Sequence, residues 1–148
     1  MRKFEKVSKD FLEYEKEEPI IPRRATLTSA GYDFFSPIET EILPGESALI
    51  WTNIKACFNE NEVLMLFVTS KMGKSHIMIA NGTGIIESDY YGNSSNDGNL
   101  GFRLINLSKE PYKIGKGNKI GQGVFTNFLI TDNDAETNLG VKRTGGFG

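Results

Sequence analysis

Short apolar runs separated by turn residues make up most of the chain. The runs are rich in β-branched and aromatic residues, which favour strands. Turn signals such as Pro44-Gly45 and Asn96 to Gly98 lie between them. We therefore predict an all-β domain, a sandwich, jelly roll or barrel, with strands over residues 48–58, 63–70, 77–80, 101–106, 112–114 and 121–130.

Helical periodicity is weak and is confined to the N-terminal segment. Phe4, Val7, Phe11 and Leu12 have roughly helical spacing among charged residues, which predicts a short helix within residues 4–16. The last stretch is polar and then glycine-rich, with little that could fill a core. We therefore predict a β domain over residues 1–130 and a flexible C-terminal arm over residues 131–148.

Composition narrows the classes of protein that fit. A chain of 148 residues forms one domain, and a net charge of −2 argues against binding to a nucleic-acid backbone. The lone Cys57 predicts a reducing, cytoplasmic setting, and no apolar stretch is long enough to span a membrane. With His76 as the only histidine, a zinc cluster is not expected, whereas an oxygen-liganded ion such as Mg²⁺ remains open.

The segment ANGTGIIESDYYG, residues 80–92, carries the most chemical information. Gly82 and Gly84 allow a ligand to approach the backbone closely. Glu87 and Asp89 would share one face if the segment is extended, and Tyr90 offers a flat surface for a sugar or base. A β-hairpin with charged tips is the alternative interpretation.

Four further segments could contact a ligand, and each also has a purely structural interpretation. Residues 23–36 contain Asp33, which would otherwise be a turn residue. The hydroxyl and cationic groups of residues 67–76 could bind phosphate or form a solvated loop. Gln122 could donate outward from an apolar strand, and residues 142–148 could place an arginine on a phosphate or remain disordered.

The order and spacing of these segments, from Pro22 to Gly148, resemble the five motifs of the trimeric dUTPase family. SAGYDFFS is similar to the first motif, TSKMG to the second, GIIESDYYG to the third, KIGQGVF to the fourth and RTGGFG to the fifth. The first, third and fifth matches are specific. The inserted segment NSSNDGN resembles the Gram-positive and phage-type branch of the family.

The resemblance implies a fold and an assembly. The fold would be a distorted jelly roll that closes into a homotrimer, with active sites at subunit interfaces. The C-terminal arm would cross to cover a neighbour's pocket. The partners implied are dUTP and further copies of the chain, with no nucleic acid and no membrane.

The resemblance also implies residue roles. Main-chain groups would bind deoxyuridine at Asn81, Gly84, Ile85 and Ile86, and Tyr90 would lie against the deoxyribose. The phosphates would contact Thr69, Ser70, Lys71, Gln122 and Arg143, while Phe147 would stack on uracil. Mg²⁺ would be held mainly by phosphate oxygens and waters, with Asp33 reaching it through water. Glu87 would activate the water that converts dUTP to dUMP and pyrophosphate.

Two positions depart from the family pattern. Glu87 stands where the family has aspartate, which moves the carboxylate by up to about 1.5 Å, one C–C bond. A misplacement near 1 Å can cost about a hundredfold in rate. Thr69-Ser70-Lys71 stands where the family has arginine, serine, serine, so a bidentate phosphate clamp is missing. The alternatives are a dUTP-binding protein with impaired turnover and a regulatory protein partner, or a dCTP deaminase, which shares the fold and uses a glutamate.

Overall fold

The computed structural model describes residues 1–147, which form an antiparallel β structure. Its strands are β1 Lys3–Lys6, β2 Arg23–Arg24, β3 Tyr32–Phe35, β4 Thr40–Ile42, β5 Ser47–Trp51, β6 Ile54–Cys57, β7 Glu62–Phe67, β8 Ile77–Ile79, β9 Gly84–Glu87, β10 Gly101–Asn106, β11 Tyr112–Ile114 and β12 Lys119–Asn127. The helical elements are short: α1 Ser70–Lys74, α2 Asp134–Thr137, and 3-10 turns at Lys9–Phe11 and Ser88–Tyr90.

The largest sheet has the strand order β2-β3-β12-β7-β9, and β5-β10-β8 forms a second sheet. The pairs β1-β6 and β4-β11 complete the structure. Every neighbouring pair is antiparallel. The core lies between the two larger sheets, where Phe34 of β3 meets Phe102 of β10 with ring centroids 5.3 Å apart.

Two glycines of β12 make room for core aromatic rings: Gly121 for Phe102 of the facing sheet, and Gly123 for Phe34 of the neighbouring strand β3. A β-carbon at Gly121 would lie 2.2 Å from Cε1 of Phe102, and one at Gly123 would lie 2.9 Å from Cε2 of Phe34. Such separations are too short for any side chain, so the close packing of the core requires glycine at both positions. The motif GQG therefore has a packing role of its own, on either side of Gln122.

The helix predicted within residues 4–16 is present only as the 3-10 turn Lys9–Phe11, and the segment before it is a strand. Residues Lys3–Lys6 form β1, which pairs with β6 and places Phe4 opposite Ala56. Phe4 packs against Phe34 and Phe125, with centroids 5.4 and 5.5 Å apart. These long-range contacts outweigh a weak local preference for helix.

Three predicted strands also differ from the structure, and the simplest case is the run 121–130, which ends at Asn127. The run 48–58 is broken between β5 and β6 because Asn53 has φ of 58°, a left-handed conformation. The run 63–70 ends at Phe67, and Ser70 instead begins α1, which Thr69 caps by accepting a hydrogen bond from the Met72 amide at 3.4 Å. Hydroxyl residues commonly end a strand in this way because their side chains satisfy the first helical amides.

After β12 the chain leaves the sheets. Leu129, Leu139 and Val141 are 96%, 89% and 81% exposed. The final residues return to the β domain at Arg143 to Phe147 and contact it there. We call residues 131–147 the arm; Gly148, which belongs to the predicted arm and to the fifth motif, lies outside the described residues. No helix within the described chain is long and apolar enough to cross a membrane.

Candidate active site

A cavity of about 510 Å³ lies between the segment 79–87, strand β10 and the end of the arm. This volume falls within the range of small-molecule binding sites. Eight of the residues singled out from the sequence line it: Asn81, Gly84, Ile85, Ile86, Glu87, Tyr90, Arg143 and Phe147. Ala80 and Gly146, from the segments 80–92 and 142–148, also line it, and further lining residues that the sequence did not indicate are Leu66, Ile79, Gly101 and Arg103.

Strands β8 and β9 are joined by a tight turn that forms one wall of the cavity. The Gly82 amide donates to the Ile79 carbonyl at 2.8 Å, and Gly82 has φ of 81°. A β-carbon at Gly84 would lie 2.9 Å from Cβ of Leu66. Glycine at these positions therefore provides the turn and keeps β9 close to β7, leaving main-chain groups along the cavity wall.

Tyr90 forms the floor of the cavity and is only 3% exposed. Its hydroxyl donates to the Asn99 carbonyl at 2.7 Å and accepts from Nδ2 of Asn96 at 2.6 Å. Burial raises the pKa of Tyr90, while the Asn96 hydrogen bond and the charge of Arg143 partly oppose this shift. Neither asparagine was identified from the sequence, since both belong to the inserted segment.

Glu87 and Asp89 converge on the guanidinium of Arg143. Nη2 of Arg143 lies 2.9 Å from Glu87 Oε2, and Nε lies 2.8 Å from Asp89 Oδ1. The hydrogen bond to Asp89, followed by the charges of Glu87 and Asp89, raises the pKa of Arg143. The two carboxylates do not share the face of a strand, as an extended segment would require, because β9 ends at Glu87 and a 3-10 turn follows.

The arm closes the cavity of its own chain. The ring of Phe147 lies 4.9 Å from that of Trp51 and 6.1 Å from that of Tyr90, measured between centroids. A β-carbon at Gly145 would lie 2.6 Å from Ser95 Oγ, and one at Gly146 would lie 2.7 Å from Cε2 of Tyr90. The two consecutive glycines thus let the backbone of the arm lie flat against the site.

The remaining residues singled out from the sequence do not line this cavity. They form what we call the polar cluster: Asp33, Thr69, Ser70, Lys71 and Gln122. Gln122 pairs in register with Asp33 and donates to the Val68 carbonyl at 3.2 Å. Ser70 and Lys71 are exposed, whereas Thr69 is half-buried as the cap of α1.

Asp33 is the acidic member of the polar cluster. It is buried, and its Oδ2 lies 2.6 Å from Nζ of Lys119, a cation that was not identified from the sequence. Within residues 1–147, no group of three His, Cys, Asp or Glu side chains could hold a metal. The polar cluster therefore offers one carboxylate, together with amide and hydroxyl groups.

Two residues of the cavity wall that the sequence did not indicate, Gly101 and Arg103, come from strand β10. Strand β10 alternates buried Phe102, exposed Arg103 and buried Leu104, so the arginine points away from the core. Gly101 pairs with Trp51 and leaves room for the indole, because a β-carbon there would lie 2.9 Å from Cε3 of Trp51. The alternation around Arg103 was visible in the sequence, but its position at the cavity depends on strand order.

The fold and the site define an antiparallel β protein with a ligand cavity closed by its C-terminal residues. Comparison with known proteins identifies the family: residues 17–148 match the model of the dUTPase family. The deoxyuridine 5'-triphosphate nucleotidohydrolase of Lactococcus lactis is 38% identical over 149 residues, covering 100% of this chain and 96% of that protein. The chain therefore belongs to the dUTPase family.

Solved structures agree with this assignment. The dUTPase from Streptococcus mutans superposes with a TM-score of 0.76 at 33% identity, covering 88% of this chain and 98% of that one. The dUTPase from phage phi11 of S. aureus shares the fold, with a TM-score of 0.71 at 23% identity over 89% of this chain and 93% of that one. These likenesses confirm the predicted all-β jelly roll and the Gram-positive and phage-like branch.

Proposed function

We propose that this chain hydrolyses dUTP to dUMP and pyrophosphate, with the nucleoside bound in the cavity. The observation that carries the proposal is that Glu87 and Tyr90 line the same cavity as the main-chain wall of residues 79–86. Phe147 and Arg143 of the arm stand at the same cavity. The cavity thereby combines an acidic side chain, a flat aromatic floor and a cation, all within reach of one bound ligand.

The cavity wall supports recognition of deoxyuridine. Main-chain N–H and C=O groups at Asn81, Gly84, Ile85 and Ile86 would pair with the edge of uracil, and a thymine methyl group would clash there. Tyr90 would lie against the deoxyribose and leave no space for a 2′-hydroxyl, because its ring is buried and its hydroxyl is held on two sides. Phe147 would stack on the base.

The phosphates would extend from the cavity to a polar cluster. Thr69, Ser70, Lys71 and Gln122 would donate to phosphate oxygens, and Arg143 would exchange its carboxylate partners for phosphate. Since none of the cluster residues lines the cavity of the same chain, we propose that the cluster of a second copy completes each site. This arrangement requires the homotrimer that the family resemblance implies.

Exposed apolar side chains support this assembly. Leu129, Ile130, Leu139 and Val141 are between 66% and 96% exposed in the single chain. Apolar groups of this size are usually covered, and a neighbouring copy would cover them if the arm crossed to it. We propose that residues 131–148 form such an exchanging arm beside a β domain of residues 1–130, and that closure in the single chain uses the same contacts.

The donor set near the phosphates is compatible with Mg²⁺. Asp33 has one oxygen on Lys119 and a second oxygen left for the water shell of an ion. A single carboxylate fits Mg²⁺, which keeps several waters and binds substrate phosphates. When bound, the ion would neutralise phosphate charge.

Glu87 would act as the general base. A water placed in line with the α-phosphorus would lose a proton to the Glu87 carboxylate while its oxygen forms the new P–O bond. The bond from the α-phosphorus to the oxygen bridging to the β-phosphorus breaks, and pyrophosphate leaves with the electron pair. Arm closure would exclude other water from the reacting phosphate.

A second candidate function is dUTP binding with slow turnover. It is favoured by the glutamate at position 87, whose carboxylate reaches Arg143 at 2.9 Å. A base with a longer side chain is displaced from the family position by up to about 1.5 Å. Binding contacts made by the main chain of residues 79–86 and by Tyr90 would be unaffected by this displacement.

One experiment separates these functions. Pyrophosphate release from dUTP with Mg²⁺ is measured for the wild-type protein and for Glu87→Asp, beside binding of a non-hydrolysable dUTP analogue to both. Hydrolysis by the wild type supports the enzyme, and a gain of up to about a hundredfold in the variant would measure the misplacement. An inert wild type with tight analogue binding supports the slow-turnover protein. Ammonia release from dCTP would contradict both.

A further inference from the structure

The inserted segment packs directly on Tyr90. We call residues 93–99 the insert loop. Nδ2 of Asn93 donates to the Tyr90 carbonyl at 2.7 Å, and Nδ2 of Asn96 donates to the Tyr90 hydroxyl at 2.6 Å. The hydroxyl in turn donates to the Asn99 carbonyl at 2.7 Å. The loop thus contacts both the backbone and the tip of this side chain.

The loop is also braced internally. Oδ1 of Asn93 accepts from the Ser95 amide, the Ser95 hydroxyl and the Asn96 amide at 2.8 to 3.1 Å. Oδ1 of Asn96 accepts from the Gly98 amide at 3.1 Å and from Nδ2 of Asn93 at 2.8 Å. Gly98 has φ of 84°, and a β-carbon there would lie 2.8 Å from the Tyr90 carbonyl oxygen. The loop therefore holds one conformation close to Tyr90.

The outer side of the loop is tied to the β domain. Oδ2 of Asp97 lies 2.8 Å from Nζ of Lys55, and both side chains are largely buried. The same oxygen accepts from the Ser8 amide at 2.8 Å. Since an ion pair with little access to water resists separation, the loop cannot move away from Tyr90 without losing this attachment.

We propose that the insert loop positions Tyr90, with Asn96 as the positioning residue, and thereby sets how strongly the site rejects a ribonucleotide. The inference rests on the proposed function, in which Tyr90 lies against the deoxyribose. A 2′-hydroxyl fits only if the ring withdraws. Withdrawal breaks the bonds of the Tyr90 hydroxyl to Asn96 and Asn99, and both bonds are buried or partly buried.

The test is a double-mutant cycle between Asn96 and Tyr90. Wild type, Asn96→Ala, Tyr90→Phe and the double variant are compared for kcat/KM on dUTP and on UTP. The dUTP preference should fall about tenfold in Asn96→Ala, as expected for losing a buried hydrogen bond, chiefly through a lower KM for UTP. In the Tyr90→Phe background, Asn96→Ala should cause no further change.

A second variant controls for a general disruption of the insert loop. Asn96→Asp keeps an oxygen for the Gly98 amide and for Asn93, but it replaces the donor to Tyr90 with an acceptor. It should lower the dUTP preference only when the tyrosine hydroxyl is present. A preference unchanged by both Asn96 variants, or changed equally with and without the Tyr90 hydroxyl, would overturn the proposal.

Binding separates this inference from the proposed function. Calorimetry with α,β-imido dUTP and α,β-imido UTP measures the same preference without turnover. If wild type releases no pyrophosphate but its deoxy preference falls in Asn96→Ala, the hydrolytic proposal fails and the positioning role stands. Binding of neither analogue to wild type would overturn both.

Discussion

Within a single chain the cavity is enclosed on several sides, whereas the polar cluster is partly exposed. The cavity has a buried floor at Tyr90, a glycine-shaped wall and a cover formed by the arm. The polar cluster has Ser70 and Lys71 exposed at the end of a strand, with Asp33 paired to a lysine. In the proposed function, a single chain holds the groups that would select the nucleoside in place before binding. The charged triphosphate needs donors from more than one direction, which a single chain does not supply.

The largest difference between the two regions should come from removing the proposed general base, Glu87. Glu87→Gln should lower kcat for dUTP by about 10² to 10⁴, because general-base catalysis contributes that much. Binding of the α,β-imido analogue should change little, since the main-chain wall of residues 79–86 and Tyr90 are intact. Asp89→Asn is the matched control, because it also removes a carboxylate from Arg143 but leaves the base. A near-normal rate in Glu87→Gln would remove Glu87 from the mechanism.

The polar cluster can be displaced without deleting any of its groups. A β-carbon at Gly31 would lie 2.4 Å from Oε1 of Gln122, so Gly31→Ala should push this side chain aside. A shift near 1 Å at the phosphates should reduce kcat/KM by about a hundredfold. Steady-state kinetics would check this, with Gly45→Ala as the control, because no atom lies within 4 Å of a β-carbon there. Gly45 has φ of 78°, a strain that Gly31 does not share, so this control also tests whether backbone strain alone is tolerated. Equal losses in the two variants would contradict a role for Gln122.

Mixing these variants tests whether the regions belong to different copies. Glu87→Gln and Gly31→Ala proteins are denatured together, refolded and assayed. If each site combines a cavity from one copy with a cluster from another, about a quarter of the sites regain both intact regions. Activity no higher than that of the unmixed variants would mean that each chain builds its own site.

Removing the aromatic ring of the arm should have a smaller effect, and this effect should be confined to the cavity. Phe147→Ala should raise KM for dUTP by up to about tenfold, since an aromatic pair contributes roughly 0.5 to 1.5 kcal/mol. The polar cluster should be untouched, so the Mg²⁺ dependence should stay the same. Phe128→Ala is a suitable control, as it removes a partly exposed ring outside the cavity. An unchanged KM would rule out closure of the arm over the uracil ring.

The smallest effect concerns Tyr91, which attaches the chain to β1 just before the insert loop. The hydrogen bond from Tyr91 to Glu5, 2.5 Å long, raises the pKa of Tyr91 to about 12. The raised pKa means that the protonated phenol stabilises the fold below pH 10, the ordinary pKa of tyrosine, and that this contribution is lost as the pH rises toward about 12. Tyr91→Phe should cost at most about 1 kcal/mol near neutral pH and flatten the alkaline decline. Denaturant unfolding at pH 8 and pH 11 would measure the loss of stability and its pH dependence. If the stability of the variant falls as steeply between these pH values, another group causes the alkaline decline.

Local signals explain what could be predicted. Strands were evident where apolar runs alternate with turns, and the glycines around residue 84 stand close in sequence to Tyr90 and Glu87. Phe4 and its neighbours misled because helical spacing over a few residues also fits a strand whose aromatic side chain is buried by distant rings. Local preference decides such segments only when tertiary contacts agree.

The missed residues share a different cause. Trp51 reaches the Phe147 ring of the arm because β5 pairs with β10 and faces a glycine there. Asn96 reaches Tyr90 because its loop folds back over the preceding residues. Such positions depend on strand order and loop conformation, and no spacing in the sequence encodes them.

Trp51 also gives the molecule an optical signal of its own. It is the single tryptophan of the chain, and the nearest ring of the arm is 4.9 Å from it. Opening of the arm exchanges an aromatic neighbour for water, which changes the intensity and wavelength of indole emission. The opening and closing of the arm can therefore be followed in real time, by stopped-flow fluorescence, on the unlabelled protein.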